Sequence, residues 1–157
     1  MVAKCSIEVL KKVNLFSGLT DKELEEVAKL CHEHSLKAGE LCVAEGEKTD
    51  YVHFVKKGKV AVEFHVTHLP RGGKVIVDTL GEGEVFAWSA LVAGTLTASV
   101  MAVEPTEVLY IDAADLLALC EKDNHVGYVI MKNLTSVISS RLTNSRLQLL
   151  NAIAAIG

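Results

Sequence analysis

The spacing of hydrophobic residues divides the chain into a helical start, a strand-rich middle and a helical end. Apolar residues at helical spacing within 7–13, behind the N-cap candidate Ser6, predict a short helix that ends near Asn14. The segment Thr20–Glu23 reads T-x-x-E, which is the pattern of a capping box. The helical spacing that follows predicts a second helix running to about His34.

From Ser35 onward the pattern becomes strand-like. Glycines recur every few residues, and the short segments between them are rich in Val, Phe and Leu. The strand-length segments are Leu41–Ala44, Val52–Val55, Val60–Val66, Val75–Leu80, Ala98–Val103 and Glu107–Ile111. In the third segment, alternation places Glu63 and His65 on the polar face, and His68–Gly73 reads as a hairpin tip. Strands this short predict an antiparallel sandwich or a jelly-roll β-barrel.

Helical spacing returns in the last quarter of the chain. Asp112 is the N-cap candidate of a helix that reaches about Cys120, and a long segment from Asp123 or Asn124 extends to about Ala155. We therefore expect one mainly β domain with flanking helices. Its three parts are the N-terminal helices (1–34), the β-barrel with the ligand cassette (35–111) and the C-terminal helices (112–157).

The long C-terminal segment carries a sustained apolar stripe, spaced mostly by three or four residues as in a coiled-coil seam. This spacing favours a homodimer through residues 126–150 over a helix packed wholly on its own barrel. The predicted dimer contacts are Ile130, Leu134, Val137, Ile138, Arg141 and Leu142.

Composition narrows the class of protein. The chain has 157 residues, of which 50% are hydrophobic and 23% charged, as in ordinary globular domains. The net charge of -4 argues against generic nucleic-acid binding. No apolar run reaches membrane-spanning length, and the N-terminus has no signal-like segment. Four scattered cysteines without a C-x-x-C pair favour reduced thiols, so we expect a cytoplasmic protein.

The sequence offers little for catalysis or metal binding. The metal-competent run Cys31–His34 would converge poorly on one ion if it were helical, so we predict no metal site. Motifs of nucleophilic hydrolases, P-loop proteins and zinc proteases are absent from the sequence. We therefore expect no catalytic residues and no enzyme activity.

Several blocks in order resemble the cyclic nucleotide-binding domain of the catabolite-activator (Crp/Fnr) type. They are Leu15–Leu19, Ala38–Glu40, Glu45–Glu47, Val52–Val60 and Gly83–Phe86. The resemblance covers about residues 15–150. It implies a jelly-roll barrel, leading helices, and a long C-terminal helix that dimerises and closes over the ligand. On that helix, the residues with polar groups to offer the ligand are Asn133, Thr135, Ser136 and Ser140.

The resemblance places the ligand in the segment that starts at Phe86, which we call the cassette (residues 86–100). The family pattern is F-G-E-x-A-L followed by an Arg, in which the Glu holds the ribose and the Arg pairs with the cyclic phosphate. The predicted ligand-binding residues here are Phe86, Ala87, Trp88, Ser89, Ala90, Thr95, Leu96 and Thr97. Ala87 replaces the Gly, Trp88 replaces the Glu, and no base stands near Thr95 or Leu96.

This departure matters because residues 75–121 contain eight acidic residues and no Lys or Arg. A buried cyclic phosphate needs a cation or a full set of hydrogen bonds. Three groups could pair with such a phosphate: the N-terminus of a short helix at Ser89, the side chain of Arg141, or a basic residue from a second subunit. Trp88 either stacks on an aromatic ligand or fills the ribose space, and the second interpretation is favoured.

These observations predict a stand-alone regulatory or sensory domain that binds a small ligand and signals through the dimerising helix to an unknown protein. A cyclic nucleotide is one candidate ligand, and no other cofactor is indicated. The alternative is a ligand-free dimerisation module. Many relatives carry a DNA-binding helix-turn-helix after the long helix, whereas this sequence stops at Gly157. We therefore expect no direct DNA binding and no membrane association.

Overall fold

The computed structural model describes residues 5–66, 73–92 and 94–156 of the chain. Its four α-helices in these ranges are α1 (Ile7–Leu10), α2 (Asp21–Ala28), α3 (Ala113–Lys122) and α4 (Asn124–Ile156). The strands are β1 (Cys31–Leu36), β2 (Leu41–Val43), β3 (Tyr51–Lys57), β4 (Val60–Val66), β5 (Gly73–Leu80), β6 (Val85–Phe86), β7 (Ser99–Ala102) and β8 (Thr106–Asp112). Two short 3-10 helices cover Asn14–Phe16 and Trp88–Leu91.

The helix starts follow the sequence signals. The Ser6 hydroxyl accepts a hydrogen bond from the Val9 amide at 3.2 Å. At α2 the capping box is complete, since the Glu23 amide donates to the Thr20 hydroxyl and the Thr20 amide donates to the Glu23 carboxylate. Asp112 caps α3 by accepting from the Asp115 amide at 3.1 Å. The predicted N-caps and the capping box are confirmed.

The prediction that the second helix runs to His34 is wrong. Helix α2 ends at Ala28, and Cys31–Leu36 forms β1, which pairs along its whole length with β8. Pairing with a central strand supplies backbone hydrogen bonds that outweigh the local helical preference. Successive side chains of a strand point to opposite faces, so Cys31–His34 do not form one cluster. Among the described residues, no group of three or more metal-competent side chains lies together.

The strands form two four-stranded antiparallel sheets that face each other as in a jelly roll. The first sheet has the order β1-β8-β3-β6 and the second the order β2-β7-β4-β5. Between them lies the inter-sheet core, made of Leu36, Val43, Val55, Val60, Leu80, Phe86, Leu96, Val100, Ala102 and Val108. The opposite face of the first sheet packs against the helices and forms a second core, which we call the helical-layer core. Its largest buried members include Leu10, Phe16, Leu24, Phe54, Leu109, Ile111, Leu116 and Ile130. The predicted fold class is confirmed.

Strand β4 departs from simple alternation. Its pairing with β5 shifts register between Val62 and Glu63. Glu63, predicted on the polar face, is only 4% exposed, whereas Phe64 is 36% exposed. The bulge changes the local twist, so the sequence alternation misassigns these positions. Strand β4 stays paired with β5 as far as Val66, which lies opposite Gly73. The predicted hairpin tip between β4 and β5, His68–Gly73, lies largely outside the described residues.

Helix α4 has 33 residues and is therefore about 50 Å long. Its first turns enter the helical-layer core through Val126, Ile130 and Leu134. Ile130 and Leu134 are 0% and 3% exposed within a single chain, so they have no surface left for a second copy. Their assignment to a dimer interface is wrong, because the barrel and leading helices already cover this part of the stripe. None of the described helices is long and apolar enough to span a membrane.

The expectation of four reduced thiols is wrong for two of them. Cys5 and Cys31 form a disulfide bridge, with Cα atoms 5.9 Å apart. The segment before α1 lies against the start of β1, an adjacency that cysteine spacing alone does not reveal. Cys42 and Cys120 are free thiols.

Candidate functional site

A cavity of about 290 Å³ lies between the two sheets, the cassette and α4. Strands β4, β5 and β7 contribute Val62, Phe64, Val77, Asp78 and Val100 to its walls. The cassette and the end of β6 contribute Phe86, Ala87, Trp88, Ser89, Leu96, Thr97 and Ala98. Helix α4 covers it with Ile138, Arg141, Leu142, Asn144 and Ser145.

The cassette begins with an unusual backbone turn at the end of β6. Ala87 has φ 55° and ψ 29°, in the left-handed region, and is the only non-glycine residue with positive φ among those described. A side chain in this conformation costs about 1–2 kcal/mol relative to the right-handed region. The Gly that the family pattern has at this position avoids that cost. The turn directs Trp88–Leu91 into a 3-10 helix at the cavity wall.

The structure brings most of the predicted cassette residues together. Six of the eight line the cavity, namely Phe86, Ala87, Trp88, Ser89, Leu96 and Thr97. The other two do not. Ala90 packs against the helical-layer core, and Thr95 is exposed and paired with Lys48 in an isolated bridge.

Trp88 lines the cavity and does not fill it, in contrast to the favoured interpretation from the sequence. Its half-buried side chain also packs against the helical-layer core, and the cavity stays open beside it. The 3-10 helix at Ser89 has only four residues, so few peptide dipoles align there. It is a weak substitute for the missing cassette cation.

Arg141 of α4 brings a positive charge to the cavity. Its Nη2 donates a hydrogen bond to the Val85 carbonyl at 2.5 Å, and its Nε lies 3.9 Å from Oδ2 of Asp78. Burial lowers the pKa of Arg141, and the carboxylates of Asp78 and Glu84 oppose that shift. The sequence placed Arg141 chiefly in a dimer interface. Its i, i+3 and i, i+4 spacing to Ile138 and Ser145 is the signal that they share one helix face.

The polar residues that the sequence assigned to the ligand on this helix lie elsewhere. The Asn133 amide donates to the Leu15 and Ser17 carbonyls, and the Thr135 hydroxyl donates to the Met131 carbonyl. Ser136 and Ser140 line a separate groove outside the cavity. The helix phase instead brings Asn144 and Ser145 to the cavity. The polar residues at the cavity therefore lie further along α4 than the four expected ones, by about one turn from Ser140 to Asn144 and about three turns from Asn133 to Ser145.

His53 supports the cassette from within the first sheet. Its ring stacks on Phe86, with centroids 5.1 Å apart, and lies 5.9 Å from the Tyr110 ring on a second side. Burial between these rings lowers the pKa of His53 to about 4. The imidazole is therefore neutral at physiological pH and adds no positive charge near the cavity.

A family model described as "Cyclic nucleotide-binding domain" matches residues 33–123, more than half of the chain. The chain belongs to this family. A cyclic AMP receptor protein from Thermus thermophilus is 30% identical over 141 residues, covering 89% of this chain and 62% of the relative. The chain spans 28%, 22% and 62% of the lengths of three curated relatives that it matches.

Solved structures of the family agree with the fold. The crystal structure of the Thermus thermophilus catabolite activator protein superimposes with a TM-score of 0.72 at 28% identity, covering 87% of this chain and 61% of that one. A cyclic nucleotide-binding domain from Methylobacillus flagellatus gives a TM-score of 0.79 at 20% identity, covering 93% and 81%. The chain thus has the fold of a cyclic nucleotide-binding-like regulatory domain.

Within this family fold, the cavity of the present chain is electrically balanced. Among the described residues, the charged side chains on its walls are Asp78 and Arg141, one of each sign. The remaining walls are apolar, apart from a few hydroxyl and amide groups. An anion that enters meets one cation that already has a carboxylate beside it.

Proposed function

We propose that this domain is a regulatory module that binds a small ligand other than a cyclic nucleotide and signals through α4. The observation that carries the proposal is the shared cavity, whose walls come from both the cassette and α4. A ligand there touches Ile138, Arg141 and Leu142, so it changes the relative stability of alternative α4 positions. The family supports a binding role, and we propose no catalytic one.

The electrostatics argue against a cyclic phosphate as the natural ligand group. Burying a phosphate is favourable only when cations or hydrogen bonds replace its water. Within the described part of the chain, Arg141 is the one cation on the cavity wall, and it is balanced by Asp78 and donates to Val85. The cassette itself contributes no basic residue and has Trp88 where the family pattern has a carboxylate.

Calorimetric titration with cyclic AMP and cyclic GMP at a few hundred micromolar tests this part of the proposal. We expect no heat of binding from either nucleotide. Micromolar binding would overturn the exclusion of cyclic nucleotides. Mass spectrometry of small molecules released from the purified protein then searches for the natural ligand.

A double variant, Trp88→Glu with Leu96→Arg, sharpens the same test by restoring the family's two ligand groups. If the missing groups alone prevent binding, the variant gains affinity for cyclic AMP. If the variant is still folded and does not bind, cavity shape is the dominant barrier.

We further propose that the chain forms a homodimer through the distal part of α4 and relays ligand binding to another protein. The support is a set of large apolar side chains, from Leu142 at the cavity to the end of the helix, that are each at least 49% exposed: Leu142, Leu147, Leu149, Leu150, Ile153 and Ile156. Such a stripe on one helix is typical of helix pairing. If no ligand is found and the dimer persists, the ligand-free dimerisation module is the better description.

Analytical ultracentrifugation tests the dimer. We expect a dimer for the native chain and a monomer for Leu149→Lys with Ile153→Lys, because the charges interrupt the apolar stripe. The matched control Ser139→Lys changes an exposed residue of the same helix outside that set. A monomeric native chain at tens of micromolar would contradict the proposal.

A further inference from the structure

The contact between Arg141 and Asp78 leaves hydrogen-bonding capacity directed at the cavity. The guanidinium has five N–H donors, and among the described residues its hydrogen bond is the one from Nη2 to the Val85 carbonyl. In Asp78, Oδ1 accepts from the Thr79 amide at 2.9 Å, and Oδ2 has no hydrogen bond within the described part of the chain. Nε and Oδ2 are 3.9 Å apart, too far for a direct hydrogen bond.

The two groups are also largely withdrawn from solvent. The side chain of Arg141 is 22% exposed and that of Asp78 is 27% exposed, and both line the cavity. Their spare donors and acceptor still reach water in the open cavity, so a ligand that displaces this water has to replace its hydrogen bonds. One donor and one acceptor therefore stand side by side at the α4 end of the cavity.

The rest of the cavity is mostly apolar, apart from the polar groups of Ser89, Thr97, Asn144 and Ser145, and it is large enough for a small ring system. Phe64, Phe86 and Trp88 provide aromatic surface, and Leu96 and Ile138 provide aliphatic surface. Such walls favour a ligand whose body is an apolar ring and whose polar atoms lie at one edge.

We propose that the cavity takes an uncharged cyclic amide, whose N–H donates to Asp78 Oδ2 and whose adjacent carbonyl accepts from Arg141 Nε. This inference rests on the proposed small-ligand function and names the class of ligand. A carboxylate would lie beside Asp78 with a repulsive charge, and an ammonium would lie beside Arg141 in the same way. A neutral edge with one donor beside one acceptor satisfies both groups without placing a like charge next to either.

The same geometry couples the ligand to α4. Asp78 is on β5 and Arg141 is on α4, so the amide joins the helix to the edge strand of the second sheet. The Gln148 side chain already donates to the Val77 carbonyl of that strand at 2.5 Å. A ligand at the Arg141–Asp78 pair therefore favours the α4 position that lies on β5.

Three probes with similar bicyclic rings test the ligand class: 2-quinolinone (a neutral cyclic amide), quinoline-2-carboxylate (an anion) and naphthalene (no polar edge). Trp88 is the only tryptophan of the chain, so its indole N–H gives a single nitrogen-15-correlated NMR signal that reports on the cavity. We expect 2-quinolinone to shift this signal with at least tenfold higher affinity than either other probe.

Variants of the pair then test the contacts. Asp78→Asn should weaken 2-quinolinone severalfold and strengthen the carboxylate at least tenfold, because the repulsive charge is gone. Asp50→Asn, an exposed position outside the cavity, is the matched control and should change neither. Equal affinity of 2-quinolinone for the native chain and Asp78→Asn would overturn the proposed contact.

The outcomes distinguish a failure of the cyclic-amide inference from a failure of the proposed small-ligand function. If the carboxylate or naphthalene binds best, the cyclic amide is wrong while a small-ligand cavity stands. If none of the probes shifts the Trp88 signal at millimolar concentration, the cyclic-amide inference is overturned, and mass spectrometry of released small molecules decides the small-ligand function separately. Deuterium exchange with 2-quinolinone bound should show slower exchange in α4 around Arg141, and unchanged exchange there would contradict the coupling.

Discussion

The two halves of α4 are similarly rich in apolar residues and have opposite surroundings. In the first half, Val126, Ile130 and Leu134 are 0–3% exposed in the helical-layer core. In the second half, Leu147 and Leu149 are 54% and 61% exposed. Arg141 stands at the boundary, over the cavity. One continuous stripe thus serves the fold of a single chain at one end and remains uncovered in that chain at the other, so an apolar stripe alone does not reveal its partner.

The largest expected difference between the halves is in stability. Ile130→Ala removes a fully buried side chain and should lower the free energy of unfolding by about 3–4 kcal/mol. Leu149→Ala should change it by less than about 0.5 kcal/mol when the chain is dilute and monomeric. Urea unfolding at submicromolar concentration measures both. Equal losses would show that the distal half packs on its own barrel.

A second, smaller contrast concerns asparagine side chains of the two halves. The Asn133 amide donates to the Leu15 and Ser17 carbonyls at 2.9 and 2.8 Å, which ties α4 to the turn after α1. Asn133→Ala should cost about 1–2 kcal/mol, because two carbonyls lose a donor. Asn151 is exposed, and Asn151→Ala is the control expected to have almost no effect. A loss below about 0.3 kcal/mol at Asn133 would mean that water replaces these bonds at no cost.

The smallest expected effect is a pH dependence at the first turn of α4. Nδ1 of His125 lies 2.7 Å from Oε2 of Glu23. The pKa of Glu23 is lowered, chiefly by the hydrogen bond from the Thr20 amide and to a smaller extent by the hydrogen bond with His125, while burial of the carboxylate acts in the opposite direction. A lowered folded pKa stabilises the fold above the ordinary pKa of Glu and loses that stabilisation as the pH falls.

Thermal unfolding between pH 7 and pH 3 measures this contribution. His125→Ala should lower the melting temperature by about 1 °C near pH 5, since exposed ion pairs contribute little. The difference should shrink as the pH falls through the lowered pKa of Glu23, because protonation removes the charge of this carboxylate in both proteins. A difference that does not shrink would assign the effect to packing instead.

The sequence predicts elements well where the signal is local. Strand β4 matches its predicted bounds, and the caps at Ser6, Thr20 and Asp112 lie where side-chain chemistry places them. The errors arise where tertiary contacts decide. Pairing with β8 turns the predicted helix end at His34 into strand, and a bulge buries Glu63.

The candidate site was predictable to the same extent. The cassette residues follow one another in sequence, so a motif finds most of the cavity wall. Arg141 and Asp78 are separated by more than sixty residues, and only the phase of α4 against β5 brings them together. The Cys5–Cys31 bridge was missed for the same reason, since neither cysteine has a neighbouring partner in the sequence.

The length of α4 beyond the cavity makes it a mechanical lever. From Arg141 to Ile156 the helix extends about 22 Å at 1.5 Å per residue, and residues 142–156 are exposed. A tilt of about 5° centred at Arg141 therefore displaces the far end by about 2 Å, with no change in the helix itself. Displacements of 1–2 Å are the size of the helix shifts that operate subunit interfaces. A sub-ångström adjustment at the Arg141–Asp78 contact is thus amplified at the end of the helix.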